Sequence, residues 1–464
     1  MISKFNEKTI QLENINSQMN PFLKIKPFSI LLLVSIHLYC THGFAQQKNP
    51  ETIILSLQEA VNLAKENNDW IAMAKLSKDV AESELKEIKS HALPHVVAQA
   101  SGKKLSNVTL YEHGLHDSES LPPPPSTYQA NFGIEASFNL YSGGKHEAAI
   151  EESEIRTKLS EIKIEQQSGS ISLQVIQNYL EILRLSKLDS LHKEQINREE
   201  IRLKNINSLY KNGKVTRSDV LRAEINLSNE QFSRKENQSD IQIFHNRLTV
   251  LLNLPEETNV ILKDTAVASQ ISELTAFENP TANRAYSFLT AKENTALQEA
   301  KIKGAKSNFY PSIELISAYE FNYPNYLVFP NLDEAYSIGF IGFKMSYSLS
   351  SLYQNNHKVR AEKEHLKELK IKENAVQDHL KLELSSLKIK LEDTKEKIEI
   401  AKKNIEQSNV NLKIVSTKYF NQLALLTDLL EADNLYLQSK YKLIEAQTSL
   451  LNYYYQILYN TGKI

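Results

Sequence analysis

The sequence predicts a mainly helical protein with membrane β-structure: long antiparallel coiled-coil helices, and four β-strands per chain that three copies complete into a twelve-stranded barrel. Three observations point there. Residues 128–141, "YQANFGIEASFNLY", alternate apolar and polar without a break; successive strand side chains face opposite ways, so this strand has one oily and one wet face. No proline lies between Pro125 and Pro255 or after Pro330, which frees two stretches for uninterrupted helices. The chain also repeats: "LYKNGKVTRSDVLRAE" (209–224) aligns with "KYFNQLALLTDLLEAD" (418–433), pairing Tyr210 with Tyr419 and Asp219 with Asp428.

Composition narrows the function classes. Charged residues are 24% of the 464, mean hydropathy is -0.40 and the formal net charge is -2. Those values exclude a polytopic helical membrane protein and give no basic surface for nucleic acid. The run "FSILLLVSIHLYC" (28–40) follows Lys24 and Lys26 and is too short to span a bilayer, which takes about 20 residues. Gly43 and Ala45 follow in small-x-small spacing, so residues 1–45 read as a signal peptide cleaved after Ala45. Residues before Met19 are an extended leader or a misassigned start. The only cysteine, Cys40, lies inside this leader; the bulky residues before it argue against lipidation. The exported chain then has no disulfide.

The first repeat, 46–254, opens with a helix whose Ser56 and Glu59 form a capping box and which runs to about His91, where Pro94 ends it. Strand 95–105 follows, then a loop with "LPPPPS", then strand 128–141. From Lys145 to Tyr210 the pattern is helical, about 100 Å if continuous. "KNGKVT" breaks it, and a second helix returns to about Asn253. A linker, 255–282, leads to the second repeat, 283–464, with strands 312–323 and 336–349. In the last strand the apolar phase runs through Ile338 and Phe340, then Ile341, Phe343 and Met345; the switch near Phe340–Gly342 reads as a bulge. The following helix steps 4, 3, 4, 3 from Leu380 through Leu391 and Ile398 to Tyr419, and its partner has Leu430, Leu437, Ile444, Leu451 and Leu458 at seven-residue intervals. A seven-residue repeat makes a left-handed coiled coil.

The strands decide between a plain coiled coil and a membrane protein. They are as long as tilted membrane strands, about 9–11 residues. Four cannot close a barrel, and open edges facing lipid would leave backbone groups unpaired. The chain therefore assembles with copies of itself, oily faces on outer-membrane lipid and wet faces on a pore. The competing readings are a soluble sandwich and a periplasmic coiled-coil adaptor or structural envelope protein.

In this order, "LSLQEAVNLAKENN" (55–68), Pro94, Pro311, and the repeated turns "YKNGKVTRSDVLRAE" and "YFNQLALLTDLLEAD" resemble the TolC family of outer-membrane efflux proteins. The resemblance implies a homotrimeric outer-membrane conduit with a periplasmic helical tunnel, working in tripartite efflux or type I secretion with a periplasmic adaptor (membrane fusion) protein and an inner-membrane transporter. It implies no enzyme activity and no cofactor. It further implies that the adaptor touches the turns, here Tyr210, Gly213, Lys214, Gln422 and Leu423. Asp428 and Glu431 match carboxylates that ring the periplasmic constriction, while Tyr419 and Asp219 match residues that tie the second coil to the first. The arginine of that tie is replaced by Ala424, so this part of the lock is absent or relocated. Gln422, where the first turn has Gly213, puts the second turn's geometry in question. The cluster His113, His116, Asp117 and Glu119 reads as a polar external loop rather than a metal site, and "NYYYQILY" (452–459) as helix packing. No phosphate loop, nucleophile constellation or zinc spacing appears.

Overall fold

The computed structural model describes residues 52–111, 114–263 and 282–464; the leader, Cys40, His113 and residues 264–281 of the linker lie outside them. The elements are β1 (Thr52–Leu55), α1 (Leu57–Asn67), α2 (Asp69–Ser90), β2 (His95–Lys104), β3 (Val108–Tyr111), β4 (Ser118–Leu121), β5 (Tyr128–Tyr141), α3 (Lys145–Lys211), α4 (Arg217–Leu251), β6 (Asn259–Leu262), α5 (Tyr286–Ser307), β7 (Ser312–Tyr323), β8 (Tyr336–Ser346), α6 (Ser351–Phe420) and α7 (Leu426–Asn460).

Two helices dominate, α3 with 67 residues and α6 with 70. Each packs along its length on shorter helices: α3 on α2, α4 and α5, and also on α1 and α7; α6 on α5 and α7. Ion pairs mark both levels of α3, with Lys78 on Glu161 at 3.0 Å near α2 and Arg234 on Asp189 at 3.0 Å near α4. The seam of α6 is buried where the heptads place it, at Leu380, Leu384, Leu387, Leu391, Thr394, Ile398 and Ala401. It joins Ile171–Leu183 of α3, Leu248 and Leu252 of α4 and Leu450, Leu451 and Ile457 of α7 in one core. Tyr453, Tyr454 and Tyr455 pack against that core.

The opening helix is two helices. The Ser56–Glu59 capping box starts α1 as expected, but Asn68 turns extended (φ -67, ψ 127) and restarts the chain as the N-cap of α2. Its amide donates to Leu251 O at 2.9 Å, so the break is held by α4. Short strands β1 and β6 pair in parallel beside it.

The four long strands form one antiparallel sheet in the order β2-β5-β7-β8. Their bounds fall within a few residues of those expected. The bulge does not fall where expected: β7 and β8 pair without a shift from Ser312↔Ser346 to Asn322↔Tyr336, and the irregularity lies instead at Asn139/Tyr141 of β5. Ile338 and Phe340 consequently stay on the wet face, opposite Glu320 and Ala318. That face is marked by Asn131 Nδ2 donating to Asn322 Oδ1 at 2.5 Å and by Gln99 donating to Glu135. The external loop is not a plain polar loop, since β3 and β4 make a hairpin within it. Among the described residues no group of His, Cys, Asp or Glu is placed to hold a metal. Both strand loops leave the sheet at the end away from the helices.

Candidate functional site

The two interhelix turns meet at the far end of the long helices. Ile206, Val220 and Ala223 of the first hairpin and Tyr419, Leu426 and Leu429 of the second form a single buried cluster there, with Ala424 packed against it. The turns have the same backbone. Gly213 (φ 64) and Gln422 (φ 64) both take the left-handed conformation. Lys214 N donates to Leu209 O at 2.9 Å, and Leu423 N to Lys418 O at 2.8 Å, the bond that ends a helix in a Schellman motif. The geometry in question at Gln422 is therefore that of Gly213, adopted by a residue with a Cβ. Tyr210, Lys214 and Leu423 are exposed at the apices.

The acidic residues after the turns cap helices. Asp219 accepts from Thr216 N at 2.8 Å and Thr216 Oγ1 at 2.7 Å; Asp428 accepts from Leu425 N at 3.0 Å. Both reach back at the third helical position, where a carboxylate also meets the positive end of the helix dipole. Asp428 remains exposed, as does Glu431, which lines a groove with Asn226, Asn434 and Gln438 between α4 and α7. Tyr419 is buried, and its hydroxyl has no hydrogen bond among the described residues. Burial pushes its pKa up, and nearby Asp219 pushes the same way. The structure thus brings Asp219 close enough to Tyr419 to act on its hydroxyl electrostatically, without a hydrogen bond between them.

A further tie lies about one turn beyond. Asp433 of α7 is 1% exposed. Its Oδ2 accepts from Arg202 Nη2 at 2.5 Å and from Gln195 Nε2 at 2.9 Å, and Arg198 stands 3.6 Å from Oδ1. Glu199 completes the group, accepting from Gln195 at 2.9 Å and from Arg202. Burial pushes the Glu199 carboxyl above its ordinary value despite Arg202, and the Asp433 charge adds to the rise. Two guanidinium groups and two carboxylates balance, as buried charges must. Just above, His192 Nδ1 lies 2.6 Å from Glu230 of α4 and 3.3 Å from the Tyr441 hydroxyl of α7. These contacts join α7, in the second hairpin, to α3 and α4, in the first. Sequence reasoning missed them. The available signal was a carboxylate on the apolar seam: Asp433 sits three residues after Leu430 and four before Leu437.

Comparison with known proteins agrees with this architecture. Residues 60–254 match the family model described as Outer membrane efflux protein. No curated protein matches. Among solved structures, the chain is similar to the outer membrane protein VceC from Vibrio cholerae (TM-score 0.72, 15% identity, covering 88% of this chain and 96% of that one). It is similar to CusC (0.75, 13%, 88% and 92%), described in terms of folding and transmembrane channel formation. It is also similar to the MtrE outer membrane channel of Neisseria gonorrhoeae in its open state (0.70, 16%, 88% and 88%). The fold is that of the TolC-like outer-membrane channels, and the resemblance read from the repeated turns holds.

Proposed function

We propose that this chain, an outer membrane efflux protein by its family match and its fold, is the outer-membrane conduit of a tripartite efflux or type I secretion machine and acts as a homotrimer. The observation that carries this is the open sheet: β2 and β8 are unpaired edges among the described residues, and an edge in lipid costs several kcal/mol per unmet backbone group. Three copies close twelve strands. Exposed apolar residues on the outer sides of the long helices, Ile225, Phe232 and Ile243 on α4 and Ile371, Leu382 and Ile389 on α6, give those copies a helical interface as well. Oily faces meet outer-membrane lipid and wet faces line the pore.

At the periplasmic end the exposed turns, Tyr210–Lys214 and Gln422–Leu423, receive the adaptor protein, which couples the conduit to an inner-membrane transporter. Asp428 and Glu431, repeated three times, ring the constriction. The lock, with Ala424 in place of the arginine, is relocated to Asp433 and Arg202. The protein does no chemistry; it conducts. Single-channel recording on detergent-extracted protein of trimer mass tests this. Expected are cation selectivity and block by trivalent cations from the periplasmic side, both weakened in the Asp428→Asn, Glu431→Gln double variant, because like charges crowded in a narrow neck attract counter-ions. A monomeric, non-conducting particle would refute the conduit; an unchanged double variant would refute the ring alone.

A further inference from the structure

The extracellular loop between β7 and β8 is built rather than loose, and its tip is oily. Asn325 and Leu332 exchange backbone hydrogen bonds at 3.0 and 3.1 Å, and Leu327 N donates to Asn325 Oδ1 at 2.9 Å. This closes residues 326–331 into a small lobe carrying Tyr326, Leu327, Val328 and Phe329. All four are exposed, and Phe329 is 98% so. An isolated exposed apolar residue is ordinary; four in a row on an ordered lobe mark a contact surface.

The direction of the lobe identifies its partner. Gln129 alternates onto the wet face of β5, with Asn131, and its amide donates to the Tyr326 hydroxyl at 3.1 Å. The lobe is therefore fastened to the face that points away from lipid. The wall below it is also oily. Because β7 and β8 pair without a bulge, Tyr336, Ile338 and Phe340 lie on the wet face opposite Asn322, Glu320 and Ala318. These residues make the β8 part of the wet face apolar from the loop down to mid-strand; lower on that face the apolar residues are Ile316 and Val97, which pair with Ser137 and Glu135.

Twelve strands about 4.8 Å apart, tilted about 45°, give a wall radius of about 13 Å. The lobe doubles back between Asn325 and Leu332, so its six residues project at most about three residues' length, about 10 Å, and the exposed Phe329 ring extends that reach. A lobe rooted at the rim can therefore reach the axis. We propose that the lobes of three copies meet on the pore axis and, with Tyr336, Ile338 and Phe340 beneath them, form an apolar collar that closes the extracellular mouth. The partner of each Phe329 is the same lobe in the other two copies. Apolar constrictions exclude water and ions without a plug, so this end closes by a different principle from the charged periplasmic end. The collar rests on the homotrimer reading.

Cysteine cross-linking separates the two claims. Cys40 is the only cysteine, so Phe329→Cys in a Cys40→Ser background leaves a single thiol per chain. In particles of trimer mass, oxidation should leave about two chains in three as disulfide-linked pairs, reversed by reductant. Trimers whose thiols remain unlinked overturn the collar and leave the conduit standing; absence of trimers in the Cys40→Ser parent overturns both. If Phe329→Cys itself fails to assemble, Ile338→Cys under the native lobe gives the second measurement. A bulky maleimide added outside cells should label it at least tenfold faster when Phe329→Asp is also present. Equal labelling overturns the collar.

Discussion

The two turns share a fold and differ in chemistry. Both have a left-handed residue, both close the same pair of backbone bonds, and both place an aspartate at the third position of the returning helix. The first turn uses the residues that this geometry favours. Gly213 takes the left-handed conformation without a Cβ, and Thr216 and Asp219 cap each other reciprocally. The second turn puts Gln422 in the left-handed position and Leu425 at the N-cap, where only the Asp428 half of the box remains. The alignment also pairs Glu224 with Asp433. Glu224 is half-buried, whereas Asp433 is buried among Arg202, Gln195 and Arg198. The second turn thus has weaker local determinants and a stronger distant tether. A hairpin built this way is held in place by its neighbour rather than by itself, which fits the gating part proposed for it.

The largest effect separating the two should come at that tether. Asp433→Asn leaves Arg198 and Arg202 with one buried carboxylate fewer, and breaking a buried pair costs about 3–5 kcal/mol. Glu224→Gln, at the matching position of the first repeat, should stay within about 0.5 kcal/mol. Denaturant unfolding of both variants measures the difference, and equal losses would end the asymmetry.

A smaller effect should follow from exchanging the left-handed residues. A residue with a Cβ costs about 1–2 kcal/mol there. Gln422→Gly should therefore stabilise and Gly213→Gln destabilise by similar amounts, read as opposite shifts in denaturant midpoint. Shifts of the same sign would mean that packing at the apex, not backbone strain, decides these positions.

The smallest effect concerns pH. Burial raises the Glu199 carboxyl above its unfolded value. A raised folded-state pKa means that the folded protein binds the proton more readily, so this group favours folding below its unfolded pKa, and the contribution is lost as pH rises through the folded value. Glu199→Gln should flatten the stability profile between the unfolded pKa and the raised folded one. A profile identical to that of the unmodified protein would show that Glu199 does not titrate there.

Much of this was legible in the sequence because it follows from periodicity. Strict alternation gave β5, heptads gave the seam from Leu380 to Ala401, and the missing prolines gave the lengths of α3 and α6. What escaped depends on partners distant in the chain. The break at Asn68 is held by Leu251 and the buried charge of Asp433 by Arg202; the seam position of Asp433 is visible locally, but no local pattern encodes either partner. The expected bulge at Phe340–Gly342 assumed that every apolar strand residue seeks lipid, but regular pairing with β7 keeps Ile338 and Phe340 on the wet face. The residues assigned to the constriction were placed by resemblance. The structure adds that Asp428 caps α7, so the carboxylate proposed for the constriction also serves local stability.

The central claim is that the second hairpin, tethered through Asp433, is what moves to open the conduit. Resting conductance of purified Asp433→Asn and Glu224→Gln channels in planar bilayers tests it most directly. The account predicts a several-fold rise for Asp433→Asn and an unchanged value for Glu224→Gln. Equal conductance in both variants and the unmodified channel would contradict it.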